Sequence, residues 1–209
     1  DLMRLNKSFV VKRNVNGPRA LLAATRLLSQ YIRDSVSTGR DPIWIAHREG
    51  RAKDGCDLTE PAVIKMLTLS RGRGEAPEAV LSDLNIVPLV IAYEVDPCDA
   101  LKAAELAAGE GYVKAEFEDV SSIARGITGN KGCVHLHFGE PLPADLSVEE
   151  VVAALDRQMA QHYRLYQTNR WAWEWLHGES VPATLAFHEG SVTERSFRAR
   201  MESVPSEHR

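Results

Sequence analysis

A short apolar run that leads into a glycine-hinged, charged loop constrains the fold of this chain most strongly. Residues 43–46 (Ile-Trp-Ile-Ala) follow Pro42, and an unbroken apolar run of this length is typical of a strand covered on both faces. In the loop, Gly50 and Gly55 allow sharp turns, and the charged side chains are Arg48, Glu49, Arg51 and Lys53. Guanidinium groups match phosphate oxygens, and α/β sheets usually bind ligands beyond the carboxyl ends of their strands. We predict a buried strand with an anion-binding loop; an exposed, ion-paired turn is the alternative.

Composition fits one sizeable globular core. The chain has 209 residues, of which 44% are hydrophobic and 26% are charged. No apolar run reaches the roughly 18 residues that a membrane-spanning helix needs. The three cysteines, Cys56, Cys98 and Cys133, are far apart in the sequence, which argues against a disulfide framework and fits a reducing cytosol.

Positive charge is concentrated in the first quarter of the sequence. Residues 1–53 contain eleven Lys or Arg and four Asp or Glu, although the whole chain has a net charge of −4. A basic segment of this kind suits contact with phosphate groups or with an anionic membrane surface. Nucleic acid would fit the sign of the charge, but the basic residues are not interleaved with aromatic ones, and we expect no nucleic-acid partner.

Hydrophobic periodicity predicts an α/β fold in which helices flank a mixed sheet. Apolar residues at three- and four-residue steps predict helices over 18–38 and about 147–169, and Thr59 is a candidate cap for a third helix with Pro61 in its first turn. The first helix would join two strands in a right-handed crossover. The predicted strands are residues 8–12, 43–47, 86–93, 112–117 and 132–138.

Two clusters each admit two interpretations. His135 and His137 lie on one face of the predicted 132–138 strand, where they could ligate a metal; a half-exposed strand face is the alternative, and no third ligand lies near in the sequence. Trp171, Trp173 and Trp175 could lie at a membrane interface or pack against the domain. We predict packing for the tryptophans and no metal site.

Four segments, in order over residues 1 to about 143, form a set. They are 6–13 (Asn-Lys-Ser-Phe-Val-Val-Lys-Arg), 49–55 (Glu-Gly-Arg-Ala-Lys-Asp-Gly), 86–94 (Ile-Val-Pro-Leu-Val-Ile-Ala-Tyr-Glu) and 138–142 (Phe-Gly-Glu-Pro-Leu). Together they resemble sequence blocks of the glycerolipid acyltransferases, most closely those of the bacterial glycerol-3-phosphate acyltransferase branch.

The resemblance implies acyl transfer from acyl-CoA or acyl carrier protein to glycerol 3-phosphate or a lysophospholipid in phospholipid biosynthesis. It implies a peripheral protein at the cytoplasmic face of the cell membrane, with no cofactor beyond the acyl donor. A non-catalytic module that binds phosphate esters or anionic lipid through the basic segment is the alternative. The implied acceptor-binding residues are Lys12, Arg13, Glu49, Gly50, Arg51 and Lys53.

The sequence departs from the family pattern in three places. The 49–55 block has one residue fewer between Glu49 and Arg51, and Ala52 replaces a serine. The family's His-x-x-x-x-Asp block, which supplies the general base and the residue that orients it, is absent. We expect that block upstream of Asp1. We therefore expect an incomplete acyltransferase-like domain over 1–143, a helical extension over 144–209, no catalytic residue in this sequence, and an isolated chain that is inactive and poorly soluble.

Overall fold

A computed structural model describes residues 16–39, 42–48 and 58–204. About 54% of these residues are helical, and short 3-10 turns follow α2 and α4. The helices are α1 (Pro18–Ser37), α2 (Pro61–Leu67), α3 (Pro77–Asp83), α4 (Asp99–Ala108), α5 (Glu118–Thr128), α6 (Val148–His162), α7 (Gln167–His177) and α8 (Glu194–Ser203), and the strands are β1 (Leu89–Tyr93) and β2 (Val134–Phe138).

The described residues combine helices with one small sheet, which is compatible with the predicted α/β class at a coarse level. The sheet is a two-stranded antiparallel pair in which Leu89 faces Phe138 and Tyr93 faces Val134. The predicted strands 86–93 and 132–138 are thus confirmed in shortened form. β1 begins directly after Pro88, which has no N–H to donate to a sheet. The predicted strand 8–12 lies outside the described residues.

Two predicted strands are wrong. Residues 42–46 have no regular secondary structure, since no described strand pairs with them; Ile43 and Ile45 pack on a hydrophobic core while Trp44 is 69% exposed. Residues 112–117 are also irregular. Phe117 adopts a left-handed conformation, with φ of 62°, at the N-terminal cap of α5, so the apparent alternation there leads into a helix.

The helix predictions are correct in place but not in every boundary. The 18–38 helix is confirmed as α1. α2 starts at Pro61 with Glu60 at the cap position, and the buried Thr59 does not cap it. The predicted 147–169 helix is interrupted. α6 ends at His162, and α7 starts at Gln167 after a capping box in which Tyr166 and Asn169 satisfy each other's backbone amides.

The described chain divides into two compact units. Unit 1 contains residues 16–39, 42–48, 58–88 and 140–158, and unit 2 contains residues 89–139 and 159–204. The boundary predicted at 143/144 falls inside the last segment of unit 1, so each unit is assembled from separate stretches of chain. The division into an acyltransferase-like domain over 1–143 and a helical extension over 144–209 stays a prediction.

Unit 1 is built around the apolar stripes of α1, α2, α3 and α6. Ser29 of α1 is almost fully buried; its hydroxyl donates to the Leu67 carbonyl (2.7 Å) and accepts from the Ser70 amide (2.9 Å), which fixes α1 to the turn after α2. Each fully buried aliphatic side chain contributes about 1.5–3 kcal/mol to folding. The buried cluster consists of Ile32, Ile64, Leu67, Leu81, Leu84, Val151 and Leu155.

A three-residue ionic cluster lies beside this core. Arg33 of α1 forms two hydrogen bonds with Glu75 (2.9 and 2.5 Å) and one with Asp83 (2.6 Å). The Arg33 guanidinium, followed by the amide of Gly72, lowers the pKa of Glu75 to about 2. The cluster therefore holds Glu75 ionised well below the usual range of a carboxylate.

The stability that Glu75 contributes should be lost in acid. A carboxylate with a lowered folded pKa stabilises the fold above its unfolded pKa, and that contribution disappears as the pH falls towards the folded pKa. We expect the difference in Tm between the wild type and Glu75→Gln to be constant above about pH 5.5 and to shrink from pH 4.5 towards pH 2. Thermal unfolding at pH 7, 4 and 3 measures this, with the exposed Glu149→Gln as control. A difference that does not change with pH would contradict the prediction.

Unit 2 contains the sheet. On β2 the apolar side chains are exposed and the polar ones are half-buried, the reverse of the usual arrangement. The β1 residues Val90 and Ala92 are buried. The β2 face that carries Val134, Leu136 and Phe138 is exposed, whereas the imidazoles on the opposite face are half-buried. The covered face of the sheet is therefore the one that carries Val90 and Ala92 of β1 and the two histidines of β2, and the apolar face of β2 is exposed.

Candidate functional site

The predicted acceptor-binding residues remain untested by the structure. All six, Lys12, Arg13, Glu49, Gly50, Arg51 and Lys53, lie outside the described residues. What the structure defines is the chain on either side of the second group, which ends at Arg48 and resumes at Leu58. These flanking residues determine where the 49–57 segment starts and ends.

The residues before and after the 49–57 segment are joined by a hydrogen bond. The Glu60 amide donates to the His47 carbonyl at 2.9 Å, and the buried Thr59 donates its amide to the Asp156 carboxylate at 2.8 Å. Ile45, just before the segment, packs on the unit 1 core. The described residues that flank the 49–57 segment are therefore held on unit 1.

The last two of the four sequence segments meet in the sheet. Residues 89–93 of the 86–94 segment form β1, and β2 ends at Phe138, where the 138–142 segment begins. The register places Leu89 opposite Phe138. The paired residues of β1 and β2 are 41 to 49 positions apart in sequence, and backbone hydrogen bonds bring them together.

Glu94, the last residue of the 86–94 segment, has a buried side chain in unit 2. It is 4% exposed, and it accepts hydrogen bonds from the amides of Cys133 (2.7 Å), Ser191 (2.9 Å) and Val192 (2.7 Å) and from the Ser191 hydroxyl (3.0 Å). Its carbonyl accepts from the Thr168 hydroxyl at 2.6 Å. Glu94 thus connects the end of β1 to the entry of β2 and to the 191–192 segment.

The Glu94 carboxylate is kept charged without a cation. Burial alone would raise its pKa, but the hydrogen bonds from Cys133, Ser191 and Val192 outweigh burial and leave the pKa below its usual value. Each donor recorded for this carboxylate in the described chain is a backbone amide or a hydroxyl. This arrangement is that of a structural anchor, because the oxygens that a substrate would approach are already occupied.

The sequence resemblance includes Glu94 as the last residue of the 86–94 segment but gives it no role, and it does not indicate the partners of Glu94. Ser191 and Val192 lie 97 and 98 residues further along the chain, and nothing local marks them. The sequence does contain one indication of these contacts, the glycines Gly132 and Gly190, because glycine permits the close approach of a neighbouring group. A Cβ atom at either position would meet the Glu94 carboxylate.

The histidines of β2 form a stacked row. The rings of His137 and His162 stack at 3.9 Å between centroids, His135 lies 6.1 Å from His137, and the His135 Nε2 is 3.1 Å from the His162 carbonyl. Burial, followed by the positive charge of Arg164, lowers the pKa of His135. Within the described ranges, no three His, Cys, Asp or Glu side chains are arranged to hold a metal ion. The row therefore gives no basis for a metal site.

The tryptophans of α7 are divided between packing and exposure. Trp171 packs on Phe197 of α8, with ring centroids 5.8 Å apart, and Arg198 lies over the Trp175 ring at 5.6 Å. Trp173 is 46% exposed. Two of the three thus contact α8, as the packing interpretation predicts. Among the helices of the described chain, none combines the length and hydropathy needed to cross a bilayer.

Comparisons with known proteins add no assignment. Models of protein families, curated protein sequences and solved structures were each compared with this chain, and none matched. The relation to the glycerolipid acyltransferases therefore rests on the four sequence blocks.

Proposed function

We propose that this chain supplies the acceptor-binding part of an acyltransferase with an α/β fold of the glycerolipid acyltransferase type. The reaction esterifies glycerol 3-phosphate or a lysophospholipid with an acyl group from acyl-CoA or acyl carrier protein, at the cytoplasmic face of the membrane. The observation that carries the proposal is the presence of four family-like blocks in the family's order over residues 1 to about 143.

In the proposed reaction, this chain binds and positions the acceptor. Arg13, Arg51 and Lys53 hold the acceptor's phosphate, and Glu49 binds a hydroxyl or orients Arg51. The acceptor hydroxyl then attacks the thioester carbonyl, its proton is removed by a general base, and the thiolate leaves and is protonated. Fixing the acceptor by its phosphate lowers the entropic cost of bringing the hydroxyl to the thioester.

Two structural features support this proposal. The described residues on either side of the segment that carries Glu49, Arg51 and Lys53 are held by the His47–Glu60 and Thr59–Asp156 hydrogen bonds. The 86–94 segment also meets the start of the 138–142 segment, since Leu89 lies opposite Phe138 in the sheet.

Arg51→Ala should weaken binding of glycerol 3-phosphate to the full-length protein by roughly tenfold to a hundredfold. A charge-assisted, bidentate contact contributes ~1.5–3 kcal/mol, which corresponds to that range. Isothermal titration calorimetry measures the affinity. Arg71→Ala, which removes an exposed arginine of unit 1, is the matched control. An unchanged affinity in Arg51→Ala, or an equal loss in Arg71→Ala, would remove Arg51 from the site.

A non-catalytic module that binds phosphate esters or anionic lipid is the second candidate, because the first 53 residues contain eleven Lys or Arg. Both candidates predict phosphate binding through Arg51, but only the enzyme predicts an ester product. Incubation of the full-length protein with acyl-CoA and glycerol 3-phosphate, followed by detection of lysophosphatidate, separates them. Binding without product would favour the module.

A further inference from the structure

Unit 2 contains a cleft that the sequence blocks do not account for. Its volume is about 310 Å³, and it lies between the start of α4, the end of α5 and the end of α8. This volume is at the lower end of the range for small-molecule sites, roughly 300–1,000 Å³. Its charged and amide side chains are Asp99, Arg125, Asn130 and Arg200.

Arg200 is held in place by a carboxylate of the same cleft. Its Nε and Nη2 donate to the two oxygens of Asp99 at 2.7 and 2.6 Å, and Nη2 also approaches the Asp96 carbonyl at 3.3 Å. In the described chain no partner is recorded for its Nη1 atom. The pair neutralises Asp99 while Arg200 keeps donors available in a fixed orientation.

Two further donors line the cleft. The Arg125 side chain, exposed near the end of α5, makes no hydrogen bond or ion pair with another side chain in the described ranges, and its carbonyl accepts from the Gly129 amide at 2.8 Å. The Asn130 side-chain oxygen accepts from the Gly132 amide at 3.0 Å, which leaves its NH₂ group as the part that can donate to a ligand. With two cations and one anion among its side chains, the cleft has a net positive charge and an excess of donors.

We propose that this cleft binds the phosphate group of a small molecule, with Arg125 and Arg200 as charged donors and the Asn130 amide as a neutral donor. Phosphate offers several strong acceptor oxygens, and a planar guanidinium can contact two of them at once. Arg200, already oriented by Asp99, loses little freedom when the ligand binds. The residues of this cleft differ from those proposed above for the acceptor, and this proposal does not depend on them.

Titration of the full chain with inorganic phosphate at constant ionic strength, followed through the backbone amide signals of Gly129 and Asn130, tests the site. We expect saturable shifts in the wild type. Arg125→Gln should weaken the apparent affinity by roughly tenfold or more, and Arg125→Lys by less, because lysine keeps the charge but not the planar fork. Arg195→Gln removes an exposed arginine of α8 outside the cleft and should change the affinity less than about twofold.

The same titration separates this site from the acceptor site. Arg51→Ala should leave the Gly129 and Asn130 shifts unchanged while it weakens binding of glycerol 3-phosphate elsewhere. If phosphate fails to shift these amides, or Arg195→Gln weakens binding as much as Arg125→Gln, the cleft is not a phosphate site. That result would leave the Arg51 proposal standing.

Further arms identify the source of the phosphate. Coenzyme A and glycerol 3-phosphate are titrated alongside vesicles of phosphatidylcholine with phosphatidic acid. Shifts at Gly129 and Asn130 that are produced by a soluble ester and reduced by Arg125→Gln support the proposal. A response to the vesicles alone would overturn it in favour of a membrane contact.

Discussion

Glu94→Ala is expected to destabilise unit 2 by about 3–5 kcal/mol, because it leaves three amide donors without their charged acceptor. The substitution removes the acceptor of four hydrogen bonds. It leaves the amides of Cys133, Ser191 and Val192 without that partner, and a buried donor left unpaired costs about 1–3 kcal/mol. Urea denaturation followed by tryptophan fluorescence measures the loss, because three of the four tryptophans lie in α7 of unit 2.

Two controls separate the carboxylate from its surroundings. Glu94→Gln keeps the shape and one acceptor oxygen but turns an amide NH₂ towards backbone donors, so we expect an intermediate loss. Glu189→Gln changes an exposed carboxylate and should alter stability by less than about 0.5 kcal/mol. Hydrogen bonds lower the pKa of Glu94 in the folded protein. The stability that its carboxylate contributes should therefore be constant above pH 4.5 and decrease below it. If Glu94→Ala had the same urea midpoint as the wild type, the hydrogen bonds of Glu94 would contribute little to stability.

Gly132→Ala is expected to destabilise unit 2 by about 2–5 kcal/mol. Gly132 has φ of +60°, a conformation that costs an L-residue about 1–2 kcal/mol, and its Cβ would press against the Glu94 side chain. Overpacking of this kind typically adds about 1–3 kcal/mol. The effect should therefore exceed what backbone strain alone produces.

Gly178→Ala separates the two causes. Gly178 has a similar φ of +67° at the end of α7, but nothing lies within 4 Å of the position its Cβ would take. We expect about 1–2 kcal/mol from backbone strain alone. Urea midpoints of the two variants give the crowding contribution by difference. Equal losses would mean that the Glu94 side chain moves aside without cost.

Sequence analysis succeeded where the signal is local. The three- and four-residue spacing of Leu21, Ala24, Leu28, Ile32 and Val36, with Pro18 at the start, placed α1 to within a residue. The strand predicted over 86–93 was found in place, although β1 begins three residues later, directly after Pro88. These features depend on residues close together in the chain, so periodicity and proline chemistry are sufficient to find them.

It failed where structure depends on distant partners. The apolar run at 43–46 is compatible with a buried strand, but a strand needs a neighbour, and none is present in the described residues. The alternation around Phe117 could not show that this residue turns left-handed to start α5. The Arg125–Arg200 cleft was missed for the same reason, since its members come from three helices or their ends.

The path of the chain through unit 2 has a consequence for biosynthesis. Two of the amides that hold the Glu94 carboxylate, those of Ser191 and Val192, are 97 and 98 residues downstream. At roughly 5–20 residues per second, about 5–20 s of translation separate the carboxylate from these donors. During that interval Glu94 has the Cys133 amide at most, and water must satisfy its other oxygen. A nascent chain that stalls or is cut after residue 143 would therefore present an open, incompletely paired hairpin to the cell's chaperones and proteases.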